Sequence, residues 1–212
     1  HFNTQQGSYM MNFLFNIKNH YLRVAIAELV NETMQACERS HYQFSQQWKP
    51  ASIAQADVIF TEMVAGEWYL CHELLQHATE NYQLFIFLND EEVTVIDHLP
   101  NCFKHAVFIH PHTAVHLLKE VIGHAIQRPL TEQHGSPFNR LRRCINCPCK
   151  SLSDAQTKVI YAFSIGLSPH EVATVLKISH KTIHSHKKKI MNKFHLKSRQ
   201  QFNNLVQILA RR

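Results

Sequence analysis

Three sets of residues have the types and spacing for chemistry. The first is the run Ser179-His-Lys-Thr-Ile-His-Ser-His-Lys-Lys-Lys-Ile-Met-Asn-Lys-Phe194. Read as a helix, it puts Ile183, Ile190, Met191 and Phe194 on one side and Lys181, His184, Ser185, Lys188 and Lys189 on the other. Such lysines neutralise phosphates, and a histidine, a serine and a lysine near the exposed middle can bond base edges. The second set is Cys144-x-x-Cys147-x-Cys149. Thiolates so spaced can share a zinc ion or an iron–sulfur cluster, or cycle through a reversible disulfide. No fourth ligand is obvious; His134 is the nearest histidine, and three free thiols are the plain alternative. The third set is the carboxylates at the ends of an apolar run, Asp57 and Glu62. The 17 histidines are scattered. No His-Glu-x-x-His pair, Gly-rich phosphate loop or nucleophile elbow occurs, so neither an enzyme nor a bound cofactor is expected.

Charge is divided along the chain. The net charge is +6, but residues 1–130 hold 7 Lys/Arg against 13 Asp/Glu, and residues 151–212 hold 11 against 2. An acidic body with a basic end suits a polyanionic partner. No apolar run is long enough for a bilayer span, and no secretory signal is evident. A cytoplasmic protein with reduced thiols and no membrane association is therefore expected.

The elements that would position these residues follow from apolar patterning. Buried-strand candidates are Met11–Ile17, Ala56–Thr61, Leu84–Leu88 and Ala106–Ile109, with a weaker one at Tyr42–Phe44. Helical spacing marks Tyr21–Met34, Trp68–Ala78 and His116–Ile126. Alternating strands and helices predict one α/β domain over 11–127, built on a parallel sheet of five strands. Residues 1–10 read as a leader or remnant. Residues 128–150, with Pro129, Gly135, Pro137, Pro148, Arg140, Arg142 and Arg143, read as a linker. Residues 151–212 carry helical signals only, and predict an all-α domain of four helices. Ser153 with Gln156 and Ser168 with Glu171 are capping boxes; Gly166 is a helix stop, and Ser179 and Ser198 are further caps. Val172, Ala173, Val175 and Leu176 are the expected buried face of the second helix. Two helices joined by a short turn, the second basic outward, have helix-turn-helix geometry.

The motifs Gly166-Leu-Ser-Pro-His-Glu-Val-Ala173, Ser179-His-Lys-Thr-Ile-His-Ser-His186 and Lys193-Phe … Lys197-Ser-Arg199 resemble the LuxR/NarL-type DNA-binding domain over the last 60 or so residues. The resemblance implies a sequence-specific transcription regulator that binds double-stranded DNA. Lys181 and Thr182 match phosphate contacts, His184, Ser185 and Lys188 match base-reading positions, and the last helix resembles one used for dimerisation. Lys187 stands where the family usually has an apolar residue, and must snorkel unless the helix rotates. Gln156 and Lys158 stand where acidic residues are usual.

In this family an α/β receiver often precedes the DNA-binding domain, and the layout of 11–127 looks like one. A working receiver needs an acidic pair after its first strand, an Asp ending the third, a Thr or Ser after the fourth and a Lys after the fifth. Here Lys18, Asn19 and His20 follow the first strand, Glu62 occupies the phosphoacceptor position, Asn89 and Asp90 follow the fourth strand, and His110-Pro111 follows the fifth. An atypical receiver without Mg²⁺-dependent aspartyl phosphorylation is therefore expected. Neither Trp48 nor Trp68 sits in the short Trp-x-[Ser/Thr]-Arg motif by which some members bind a cyclic dinucleotide. The expected protein is an orphan regulator, a homodimer on DNA. The alternatives are an auxiliary regulator that heterodimerises with another response regulator, and a redox- or metal-sensing regulator working through Cys144, Cys147 and Cys149.

Overall fold

Residues that alternate between two dry faces become strands, and the first unit is built on five of them. The computed structural model describes residues 9–79, 81–90, 98–127 and 144–212. Its described residues divide into two compact units, one from 9–62, 72–79, 81–87, 102–127 and 144–146, the other from 63–71, 88–90, 98–101 and 147–212. In the first, β1 (Met11–Asn16), β2 (Tyr42–Ser45), β3 (Val58–Met63), β4 (Gln83–Leu88) and β5 (Val107–Ile109) lie in the order β2-β1-β3-β4-β5. β1 pairs in parallel with β2 and β3, Phe15 opposite Phe60, and β4 pairs in parallel with β5. This doubly wound order reverses direction between β1 and β3, and the crevice beyond the carboxyl ends of those strands is where such sheets hold their chemistry.

Phenylalanines fill one face of the sheet. Phe60 on the central strand stacks on Phe15 at 5.1 Å and on Phe85 at 5.2 Å between ring centroids. Helices α1 (His20–Ala36) and α3 (Val115–Gln127) cover this face with Ile26, Val30, Met34, Leu118, Ile122 and Ile126. Asn19 caps α1, its Oδ1 accepting from the Leu22 N–H at 3.2 Å. The opposite strand residues, Leu14, Ile59 and Ile86, are also fully buried. Burial on both faces explains why the strands read as nearly continuous apolar runs. At the other end of β3, Asp57 accepts from Tyr9 Oη at 2.6 Å and from the Asn12 N–H at 2.7 Å. Burial nevertheless holds its carboxyl above the ordinary range, since desolvation outweighs those two bonds.

Two local expectations change. Trp68–Ala78 is not one α-helix but two 3-10 turns, Glu67–Tyr69 and Glu73–His77, with Leu70 extended at φ −79° and ψ 159° between them. Its apolar residues are shared between units: Trp68, Tyr69 and Leu70 are buried in the second, and Leu75 in the first. One straight rod cannot serve two cores. A short helix, α2 (Pro50–Gln55), was not legible in the pattern, since a stretch with one buried residue, Ile53, shows no period.

In the second unit, α4 (Asp154–Ser164), α5 (Pro169–Leu176), α6 (His180–Lys193) and α7 (Arg199–Leu209) realise the four expected helices. Val159, Ala162, Val172, Ala173 and Ile183 form a core there. Val175, expected to be buried with them, is 62% exposed, since Val172 and Ala173 occupy the inward side of this short helix. Gly66, at φ +83°, lies so close to Phe194 and Leu196 that an added Cβ would sit 3.0 Å from each. A side chain there would crowd those two residues and strain a backbone that glycine adopts freely. Residues 1–8 of the expected leader and residues 128–143 of the expected linker, with His134, lie outside the described residues.

Phe60→Ala removes a fully buried ring from the centre of the aromatic row. It should destabilise the chain by about 3–5 kcal/mol, read as a lower urea midpoint at unchanged slope.

Candidate nucleic-acid interface

The interface begins with the turn that sets α6. Ser168 Oγ accepts from the Glu171 N–H at 3.3 Å, and Glu171 Oε2 accepts from the Ser168 N–H at 2.7 Å, with Pro169 at a position that needs no amide. These bonds hold the Glu171 carboxyl below its ordinary range. After α5, Lys177 takes the left-handed conformation at φ 53°, and its N–H bonds back to the last turn. Ser179 Oγ then caps α6 by accepting from the Thr182 N–H at 3.1 Å, and pairs with Thr182 Oγ1 at 2.8 Å. A cap of this kind contributes ~1 kcal/mol to its helix.

The rotation of α6 about its axis follows from what it buries. Ile183 is 2% exposed, and Ile190 and the following Phe194 are 0% and 1% exposed. Lys181, His184, Ser185, Lys188 and Lys189 are exposed, and Thr182 is half-buried beneath its cap. Lys181, His184, Ser185 and Lys188 follow the spacing i, i+3, i+4, i+7 and so share one helix face. Lys187 is half-buried, and its Nζ sits 4.8 Å over the Phe202 ring. Desolvation, then the nearby Arg199, lowers its pKa. The side chain snorkels along an aromatic surface.

Not every lysine of the basic end is available to a partner. Lys193 Nζ donates to Ser151 O at 2.8 Å and to Gln156 Oε1 at 3.2 Å. Gln156 is 6% exposed, and its side-chain oxygen also accepts from the Ser153 N–H. An acceptor is required at that position, and a neutral amide supplies it. Lys150 Nζ donates to Lys193 O at 2.6 Å, and lies 2.8 Å from His195 Nε2 and 4.1 Å from the Tyr69 ring centroid. Burial, then Lys193, lowers the Lys150 pKa; burial, then Lys150, lowers that of His195.

One pair escaped the sequence reading. His170 Nδ1 and His180 Nε2 lie 2.9 Å apart at the starts of α5 and α6, with both rings exposed. Ten residues separate them, and only the turn brings them together.

Elsewhere the structure disposes of the other candidates as follows. Glu62, next to last in β3, is half-buried, with Oε1 accepting from the Lys18 N–H at 3.0 Å and Oε2 from the Asn19 N–H at 3.4 Å. Its carboxylate is thus held by backbone amides of the β1–α1 loop rather than projecting alone into solvent. Asn16 Nδ2 donates to Thr61 Oγ1 beside it at 3.1 Å. Cys144 Sγ lies 4.0 Å from Gln76 Oε1 in the first unit, and Cys147 and Cys149 lie together in the second. Cys71, which the spacing did not suggest, is beside Cys149. Among the described residues, no group of three or more His, Cys, Asp or Glu could hold a metal ion. No described helix is long and apolar enough to cross a membrane.

The family described as bacterial regulatory proteins, luxR family, matches residues 150–206, which span α4 to α6 and most of α7. No curated protein resembles the chain at a significant level. Among solved structures, RcsB from Salmonella enterica serovar Typhimurium bound to promoter P1flhDC in the presence of phosphomimetic BeF3- is similar. It is 16% identical, with a TM-score of 0.51, over 94% of this chain and 100% of that one. The two-component response regulator RcsB in complex with DNA is 16% identical, with a TM-score of 0.49, over 94% of this chain and 100% of that one. Residues 150–206 thus resemble the bacterial regulatory proteins of the luxR family, and the likeness to the RcsB structure at a TM-score of 0.51 is one of fold.

Proposed function

We propose that this regulator recognises specific double-stranded DNA sites by laying α6 in the major groove. The observation that carries this reading is the exposed face of Lys181, His184, Ser185 and Lys188 on a helix whose other side is locked into the core by Ile183 and Ile190. Lys181, Thr182 and Lys189 contact phosphates; His184, Ser185 and Lys188 read base edges. Two copies on an imperfect palindrome place two such helices one turn of DNA apart.

We further propose that aspartyl phosphorylation does not control it. Support comes from the switch point, where a receiver would hold Mg²⁺ on carboxylates. Lys18, Asn19 and His20 follow β1, and Glu62 is already bonded to two of their amides. A cation bound there would lose that carboxylate to the backbone and find no acidic pair after β1.

Two measurements test these readings. Genome-wide capture of DNA fragments should enrich discrete sites with the wild type. Lys188→Ala should cost about 1–3 kcal/mol and relax selection at one position, whereas Lys189→Ala should weaken all sites alike and reduce the salt slope by about 1. If wild type enriches no discrete sites, the DNA reading fails; if it does so only with another response regulator present, heterodimerisation replaces the homodimer. Acetyl phosphate with Mg²⁺ should leave no acid-stable, base-labile phosphoryl adduct on the chain and no change in its DNA affinity. An adduct would sink the second reading.

A further inference from the structure

Thiols from two distant stretches of chain meet in the second unit. Cys147 Sγ and Cys149 Sγ are 3.1 Å apart, the Cys149 thiol donating. The Asn101 N–H donates to the same Cys147 sulfur at 3.3 Å. Two donors therefore converge on Cys147. Cys149 keeps its proton, because burial first and the Cys147 and Cys71 sulfurs next push its pKa up. A sulfur fed by donors beside a protonated thiol is an arrangement for attack and resolution.

We propose that Cys147 and Cys149 are a modification site for hydroperoxides, Cys147 attacking and Cys149 resolving. The Cys147 sulfur attacks one oxygen of hydrogen peroxide as its proton leaves. The O–O bond breaks, the second oxygen leaves as hydroxide and takes up that proton to become water, and Cys147 is oxidised to the sulfenic acid. The Cys149 sulfur then attacks the Cys147 sulfur. The S–S bond forms, the S–O bond breaks, and the hydroxyl leaves with the Cys149 proton as a second water. In sum, two thiols and one peroxide give one disulfide and two waters. A small thiol reverses the step by exchange.

The geometry allows the bond. Two residue steps span at most about 6.6–7.2 Å and less when turned, against the Cα separation of about 4.4–6.8 Å that a disulfide accepts. Pro148 between the cysteines fixes one φ and lowers the entropy lost on closing the ring. A ring this small is strained, and strained disulfides are the easily reduced ones.

The consequence runs through the next residue. The Lys150 N–H donates to Tyr69 O at 2.7 Å, and its Nζ holds Lys193 O at the end of α6. Closing a ring at Cys149 re-aims Lys150 and loosens that hold. This consequence rests on the DNA-binding reading; the thiol chemistry does not.

The test uses the reduced full chain, hydrogen peroxide as oxidant, N-ethylmaleimide to cap remaining thiols, and mass spectrometry of the 144–150 peptide. A Cys147–Cys149 disulfide removable by dithiothreitol is expected, and it should persist in Cys144→Ser and Cys71→Ser. Cys149→Ser should stop at a Cys147 sulfenic acid that dimedone traps, and Cys147→Ser should yield neither product. Oxidation should change DNA affinity by about fivefold or more in wild type and not in Cys147→Ser. A disulfide through Cys71 or Cys144, dimedone on Cys149, or unchanged thiols overturns the site. A disulfide with unchanged affinity overturns the link through Lys150, and a reduced protein that selects no DNA sites overturns the DNA reading alone.

Discussion

The burial of Ile183, Ile190 and Phe194 against the other helices is the constraint on which the exposed face of α6 depends. A helix has no preferred rotation of its own; its azimuth is set by which side chains it removes from water. With those three inside, Lys181, His184, Ser185 and Lys188 point outward together. The caps at Ser168 and Ser179 set where the two helices start, and the left-handed Lys177 sets the turn between them. Each cap contributes ~1 kcal/mol, less than the burial of a large apolar side chain. They act mainly on geometry.

The basic end is not a uniform positive surface. Lys193 and Lys150 spend their hydrogen bonds inside the unit, on backbone carbonyls and on Gln156. Lys187 lies over Phe202. A lysine held on carbonyls fixes helix ends and has little freedom to neutralise a phosphate. Charge counting along the chain therefore overstates the electrostatic footprint, and the exposed lysines of α6 carry more of it than the sum suggests.

Much of the fold was legible because burial on both faces writes itself as apolar runs. Met11–Asn16 and Gln83–Leu88 could be read that way, and helices α1 and α3 by their 3.6-residue period. The caps of α4, α5 and α7 were legible because a serine followed three residues later by Gln or Glu has a local meaning that needs no partner. Trp68–Ala78 misled because its residues keep a helical period while serving two different cores. Val175 misled because a helix of two turns has room for only a narrow inward side.

The sequence by itself determined most of the element types, the parallel α/β class of the first unit, the helix starts and the basic character of α6, since these are written in the local pattern of the chain. Only the tertiary structure decided which lysines remain exposed, that Lys187 snorkels over Phe202, that Glu62 is tied to the β1–α1 loop, and that Cys71 stands beside Cys149. Those outcomes join residues dozens of positions apart, such as Lys150 with Lys193 and Glu62 with Lys18. Residue spacing cannot encode a contact whose partners are brought together by packing. The face of α6 lies between the two cases: its pattern is local, but its direction is set by the core it closes.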